Sequence, residues 1–121
     1  MTLKEKARSN YLGANGSKRL NCAMSVSEAL REPFPLEKND IDMLKKAGGG
    51  GAPEGMCGSA FAVKIILNKY FPGRTADFVY DFAERAGSLN CDNIRKMKKL
   101  SCPGCVEFSA EFAEKLKIHS K

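Results

Sequence analysis

Apolar residues recur at the three- and four-residue spacing of an α-helix from one end of this chain to the other. No segment alternates Val, Ile or Thr with polar residues between two-residue turns, which is the pattern of a half-buried strand. The sequence therefore predicts an all-α fold. Because the connections between helical stretches are short, we expect a compact bundle of about five to seven short helices with antiparallel neighbours.

Turn residues divide this pattern into separate helices. Glycine, proline and asparagine cluster in GANGS, PFP, the run of four glycines, FPGR and AGSLN. The helix after the glycine run is apolar on nearly all sides, so we expect it to be central, with Ile65 and Ile66 not both exposed. The predicted helices span residues 3–12, 17–31, 38–47, 56–71, 75–87, 91–97 and 103–118.

Length and charge restrict the class of protein. At 121 residues the chain is expected to form one helical cysteine-containing domain, 1–121, with a single core. The longest apolar run, FAVKIIL, contains Lys64, so neither a signal peptide nor a membrane span is expected, and the predicted location is cytoplasmic. The net charge is +6, but the only dense basic run, IRKMKKL, contains no aromatic residue, so no nucleic-acid partner is expected.

Five cysteines are the main chemical feature of the chain. In a cytoplasmic protein that folds without crosslinks, they point to metal binding or thiol chemistry. Cys22, Cys57 and Cys91 are separated by more than thirty residues each, whereas Cys91, Cys102 and Cys105 lie close together. The only C-x-x-C pair is CPGC, and a ribbon-type zinc site would show two such pairs.

Three cysteines are predicted at helix starts, where free backbone amides and the helix dipole favour a thiolate. Cys57 follows a Pro-Glu-Gly turn and Cys91 follows GSLN. Pro103 is suited to the first helical position, which makes Cys102 the expected N-cap and Cys105 the third residue of the helix. Cys22 instead begins the buried stripe of the second helix, where a small core residue is the simpler interpretation.

The stretch AGGGGAPEGMCGSA leads into Cys57. It is not a phosphate-binding P-loop, because Met56 stands where the motif requires lysine. We interpret the glycines as a tight reversal that admits other groups close to a helix start carrying a thiol. Lys64, two turns further on, either extends to the surface or brings positive charge towards Cys57. We expect the helix start to lower the pKa of the Cys57 thiol, against the opposing effect of burial.

Four cysteine-containing fragments follow one another along the chain: NCAMSV, GGGGAPEGMCGSAFA, CDNI and CPGCVEFSAEFAEKL. In the order and spacing of these fragments, the chain resembles the C-GCAxxG-C-C family of redox-active proteins, which are small bacterial and archaeal proteins. Two positions depart from the family's C-G-A-x-x-G motif, since Ser59 replaces the alanine and Ala62 the final glycine. Cys105 is an addition to the four cysteines of the family, which fall on Cys22, Cys57, Cys91 and Cys102.

The resemblance implies a thiol-based redox protein whose clustered cysteines cycle between dithiol and disulfide, with Cys102 and Cys105 as the most exposed pair. We expect each of the four family sulfurs to lie within about 10 Å of a neighbour in the set, or closer as a disulfide, with Cys105 joining them or pairing with Cys102 at the rim. The expected catalytic set is Cys22, Cys57, Cys91, Cys102 and Cys105.

Two other functions stay open at this point. Cys22, Cys57, Cys91 and Cys102 are also a ligand set for an iron–sulfur cluster or zinc. Alternatively, the chain is a non-catalytic helical adaptor whose cysteines only fill the core. Family genes often lie beside transporter genes, so the expected partner is an unidentified redox partner or a transporter-associated protein, and a homodimer is left open.

Overall fold

The computed structural model describes residues 2–16 and 18–119, with side chains up to residue 116. Within these residues there are seven α-helices and no strand, which confirms the predicted all-α fold. Three short 3-10 turns, at 48–50, 53–55 and 72–74, connect them. The helices are α1 (Leu3–Leu12), α2 (Cys22–Ala29), α3 (Lys38–Lys45), α4 (Gly58–Tyr70), α5 (Thr75–Ala86), α6 (Cys91–Met97) and α7 (Cys102–His119).

Six helices agree with the predicted ranges to within two residues at each end, but the second is shorter than predicted. The periodicity predicted 17–31, and Ser17 lies outside the described residues. α2 begins after Asn21, because the side chain of Asn21 accepts a hydrogen bond from the Met24 N–H at 2.7 Å. Such a cap satisfies an amide that has no partner in the helix, and it fixes the first turn at that point.

α4 is the central helix. It packs against α2, α7 and α5, while α1 lies along both α7 and α2. Ile66 and Leu67 are completely buried and Ile65 is half-buried, which confirms the predicted central position. The small α6 lies at the edge of the bundle, beside the glycine turn at 48–50.

Aromatic side chains fix α7 against α5. The ring centroid of Phe78 lies 5.1 Å from that of Phe112, and the centroid of Phe82 lies 6.0 Å from that of Phe108. Both α5 rings are fully buried. Edge-to-face packing of this kind stabilises the contact beyond the burial of apolar area alone. This contact holds in place the helix that carries two of the five cysteines at its start.

In the part of the chain that the structure describes, no helix combines the length and the apolar character needed to cross a membrane.

Candidate functional site

All five cysteines line one pocket of about 440 Å³, which we call the cysteine pocket. The convergence expected of the four family cysteines is therefore present in the structure, and Cys105 joins them. Their catalytic role stays a prediction. Polar and apolar side chains from α1, α4, α6 and the segment before α2 complete the wall: Tyr11, Arg19, Asn21, Ser59, Ile94 and Arg95.

The pocket forms where four helices begin. Cys22, Cys91 and Cys102 are the first residues of α2, α6 and α7, and Cys57 is the N-cap of α4. Cys105 lies one turn into α7. Because the free amides of a helix start favour negative charge, this arrangement places groups around the pocket that can stabilise a thiolate.

One detail of α7 differs from the prediction. Cys102 was expected to be the N-cap, but the hydroxyl of Ser101 accepts a hydrogen bond from the Gly104 N–H at 3.0 Å. The Ser101 carbonyl also accepts from the Cys105 N–H at 2.8 Å. Serine is a preferred capping residue because its short hydroxyl reaches these amides. The Cys102 side chain therefore makes its contacts within the pocket instead of capping the helix.

Backbone contacts join the starts of α4 and α6. The Cys57 N–H donates to the Leu89 carbonyl at 2.7 Å, and an isolated β-bridge links Met56 to Asn90. The Asn90 side chain in turn caps α6 by accepting from the Asn93 N–H at 3.1 Å. Cys57 and the first residue of α6 are thus held on neighbouring parts of the pocket wall.

Burial separates the cysteines into two groups. Cys57 and Cys105 are 6% and 2% exposed, and Cys91 is also buried. Cys22 and Cys102 are half-buried. The expectation that Cys102 and Cys105 would be the most exposed pair is therefore wrong. Cys105 lies one turn beyond the helix start, on the side of α7 that faces the core, so only Cys102 of the C-x-x-C pair reaches the rim.

Cys57 and Cys105 form the most strongly interacting pair. The hydrogen bond from Cys105 lowers the pKa of the Cys57 thiol to about 6, against burial, which raises it. The same interaction, together with burial, raises the pKa of Cys105. Cys57 makes no capping hydrogen bond in α4, but the nearby amides of Ser59 and Ala60 also favour its thiolate. These opposite pKa shifts favour Cys57 as the thiolate and Cys105 as the thiol of the pair.

The thiol pKa values of Cys22 and Cys91 are raised, in contrast to that of Cys57. Burial raises the pKa of both thiols, and the negative charge at Cys57 adds to this effect. At Cys22 the rise is opposed by the backbone amide of Gly49. Gly49 has φ +59°, a conformation that favours glycine, so the glycine run serves to bring a backbone amide to Cys22. In the sequence the run precedes Cys57, and its position there gives no sign of the contact with Cys22.

Cys102 lies among groups that sequence reasoning did not identify. The Arg95 guanidinium and the Tyr11 hydroxyl both interact with its sulfur, and this interaction raises the pKa of Arg95 and adds to the effect of burial in raising that of Tyr11. Arg19, immediately before α2, also lines the pocket. Arg95 falls within the basic run that the sequence suggests is a solvated face, and no spacing pattern relates Tyr11 or Arg19 to a cysteine. Only the packing of α1 and α6 around the pocket brings these residues together.

Lys64 does not contribute positive charge to the pocket. Its side chain is exposed and lines a separate cavity with Met56 and Asn90. Of the two interpretations of this residue, extension to the surface is the one that the structure supports.

The sulfurs are present as five free thiols. Among the side chains that the structure describes, no group of three or more His, Cys, Asp or Glu residues has an arrangement that could hold a metal ion. The iron–sulfur or zinc alternative for Cys22, Cys57, Cys91 and Cys102 stays a prediction.

These features define a small helical protein with a cluster of thiols at the starts of its helices. The family model described as "Putative redox-active protein (C_GCAxxG_C_C)" matches residues 20–116. The chain belongs to this family. The match includes all five cysteines, whereas Tyr11 and Arg19 lie before it. No curated protein and no solved structure matches the chain significantly.

Proposed function

We propose that this protein is a redox protein that acts by thiol–disulfide exchange, with Cys57 and Cys105 as the redox couple. The observation that carries this proposal is that two buried cysteines line the same pocket. Their interaction lowers the pKa of the Cys57 thiol and raises that of Cys105. With a pKa of about 6, the Cys57 thiol favours its thiolate form at pH 7. The thiolate is the form that attacks a disulfide, and Cys105, which lines the same pocket, is the thiol that completes the exchange.

The reaction proceeds in two displacements. The Cys57 thiolate attacks one sulfur of a substrate disulfide, a mixed disulfide forms, and the other substrate sulfur leaves as a thiolate that takes a proton from water. Neutralising Cys57 removes the negative charge that raised the pKa of Cys105, so Cys105 now loses its proton more easily. Its sulfur attacks Cys57, the Cys57–Cys105 disulfide forms, and the second substrate thiol leaves. Two electrons pass from the protein to the substrate, which becomes two thiols.

Cys22, Cys91 and Cys102 complete the proposed set of redox cysteines. Cys102 lines the pocket and is only half-buried, so it is placed to exchange disulfides with groups at the pocket entrance. A reducing compartment such as the cytoplasm would return the couple to its dithiol form.

The test is to map the product of a single oxidation. Fully reduced protein is treated at pH 7.5, without oxygen, with the neutral reagent 2-hydroxyethyl disulfide, and the remaining thiols are alkylated before mass spectrometry. We expect a Cys57–Cys105 disulfide in the wild type. Cys105→Ser should accumulate the mixed disulfide on Cys57, because the second displacement has lost its nucleophile. Cys57→Ser should react much more slowly.

Ser109→Ala is the matched control, since Ser109 is buried on the same helix one turn after Cys105 but does not line the cysteine pocket. It should form the Cys57–Cys105 disulfide at nearly the wild-type rate. A first product that lacks Cys57, or an unchanged rate in Cys57→Ser, would overturn the assignment of the couple. If all five cysteines can be replaced with no loss except stability, the adaptor function is the better account.

A further inference from the structure

The depth of Cys57 and Cys105 restricts the size of the substrate. Both sulfurs lie within the cysteine pocket, with side chains that are 6% and 2% exposed. Disulfide exchange requires the attacking sulfur to approach the substrate sulfur in line with the bond that breaks. A disulfide on the surface of a folded protein could not reach so deep a thiolate, whereas a pocket of about 440 Å³ is of the size that admits small molecules.

The charge of the pocket restricts the substrate further. Two arginines, Arg19 and Arg95, line it, and no Asp or Glu among the described residues does. In the described part of the chain, neither arginine forms an ion pair with a carboxylate. Arg95 interacts with the Cys102 side chain. Both side chains are exposed, so they are available to a bound molecule. An unpaired arginine at a pocket wall is suited to carboxylates, because its planar donor group matches their two oxygens.

Donors within the pocket add to this preference. The starts of α2, α4 and α7 border it, and helix starts favour negative charge. The side chain of Ser59, which is completely buried next to Cys57, also favours the Cys57 thiolate.

We infer that the substrate of the Cys57–Cys105 couple is a small disulfide that carries carboxylate groups, with Arg19 and Arg95 binding those carboxylates. The inference rests on the proposed function and defines its substrate class. The exchange is the one already described, in which the small disulfide receives two electrons and leaves as two thiols.

The test compares three small disulfides that differ in charge: glutathione disulfide, which is anionic, 2-hydroxyethyl disulfide, which is neutral, and cystamine, which is cationic. Each rate of oxidation of the reduced protein is divided by the rate at which dithiothreitol reduces the same disulfide, which removes differences in intrinsic reactivity. We expect the normalised rate to be highest for glutathione disulfide and lowest for cystamine, and the difference to shrink as salt is raised.

The arginines are tested through the ratio of the glutathione disulfide rate to the 2-hydroxyethyl disulfide rate. This ratio should fall about 3-fold in Arg19→Gln and about 10-fold when Arg95→Gln is added, whereas Arg19→Lys should retain most of it. Losing the interaction between Arg95 and Cys102 could change the reactivity of the thiols, but such a change affects both rates equally and cancels in the ratio. Lys18→Gln is the matched control, because Lys18 precedes Arg19 but lines a different pocket, and the ratio should stay at the wild-type value.

The possible results distinguish failure of the inference from failure of the proposed function. Equal normalised rates for the three disulfides, or an unchanged ratio in the double arginine variant, would overturn the inference and leave the redox couple intact. Faster reduction of insulin disulfides than of glutathione disulfide would likewise overturn it in favour of a protein substrate. If none of the disulfides oxidises the Cys57–Cys105 pair, the proposed function fails with it.

Discussion

At the scale of single residues, Cys57 shows how a buried thiol can still favour its ionised form. Burial alone would raise the pKa of this thiol, and it does so at Cys22 and Cys91. At Cys57 the hydrogen bond from Cys105 outweighs burial and lowers the pKa to about 6. The helix start, which the sequence suggested as the main cause, contributes through the amides of Ser59 and Ala60 but is the smaller effect.

The first prediction follows from this order of effects. In a background with Cys22, Cys91 and Cys102 replaced by alanine, Cys105→Ala should raise the pKa of Cys57 by at least about one unit, because the main donor to its thiolate is lost. The measurement is the rate of Cys57 alkylation by iodoacetamide as a function of pH. Cys105→Ser, which keeps a donor of similar size, should retain more of the lowered pKa. A midpoint near pH 6 in the alanine variant would assign the effect to the helix start instead.

At the scale of elements, asparagine and serine caps set the positions of the cysteines. Asn21, Asn90 and Ser101 each accept a hydrogen bond from an amide in the first turn, and each directly precedes a cysteine of the pocket. Asn21 also donates to the Leu44 carbonyl at 3.2 Å and to the Lys45 carbonyl at 3.1 Å. This side chain therefore joins the start of α2 to the end of α3, where the last carbonyls lack helical partners.

The second prediction separates these two roles of Asn21. Asn21→Ala should lower the free energy of unfolding by about 1–2 kcal/mol, because both the cap and the contact with α3 are lost. Asn21→Asp keeps the capping oxygen but removes the amide donor, so it should cost less than the alanine substitution. Urea unfolding under reducing conditions gives both values. Equal losses in the two variants would mean that only the contact with α3 matters.

The third prediction concerns Gly58, at the first position of α4. A Cβ placed there would lie 2.5 Å from the Cys22 sulfur and 2.7 Å from the Ala47 carbonyl oxygen. Since α2 and the glycine turn cannot both move away cheaply, Gly58→Ala should destabilise the protein by about 1–3 kcal/mol and disturb Cys22. Gly73→Ala is the matched control, because a Cβ there meets nothing within 4 Å, and its effect should be under about 0.5 kcal/mol. A Gly58→Ala variant as stable as the control would contradict this packing.

Much of the fold could be predicted from the sequence, because apolar spacing and turn residues report directly on helices. The start of α2 could not, since Asn21 is recognised as a cap only when its contacts with Met24 and α3 are seen. Within the site, the cysteines were identifiable from their number and spacing. The Cys57–Cys105 interaction was not, because it depends on the rotation of α7 against α4, which a sequence pattern does not specify. Tyr11 and Arg19 have no sequence signal relating them to the pocket.

At the scale of the whole molecule, the shifted pKa values of the pocket cysteines make the free energy of unfolding depend on pH. The pKa of Cys57 is lower in the folded protein than the ordinary value of about 8.5. Its contribution to stability is therefore fully present above about pH 8.5 and is lost as pH falls through about 6. The raised pKa values of Cys105, Cys22 and Cys91 act in the other direction, so their contribution is present below about pH 8.5 and is lost above it.

The fourth prediction is that the reduced protein is most stable near pH 8, with stability falling towards both pH 6 and pH 10. Between pH 6 and 8.5 the unfolded state binds more protons at Cys57 than the folded state does, so the free energy of unfolding should rise by up to about 1.4 kcal/mol per pH unit. Urea unfolding with a reductant at half-unit pH steps measures this curve. Cys57→Ser should flatten the acid side, because that side depends on the Cys57 thiolate, whereas Cys105, Cys22 and Cys91, with their raised pKa values, are mostly protonated there in both the folded and the unfolded state. If the wild-type and Cys57→Ser curves ran parallel from pH 6 to 8.5, the Cys57 thiolate would have no part in the stability of the fold.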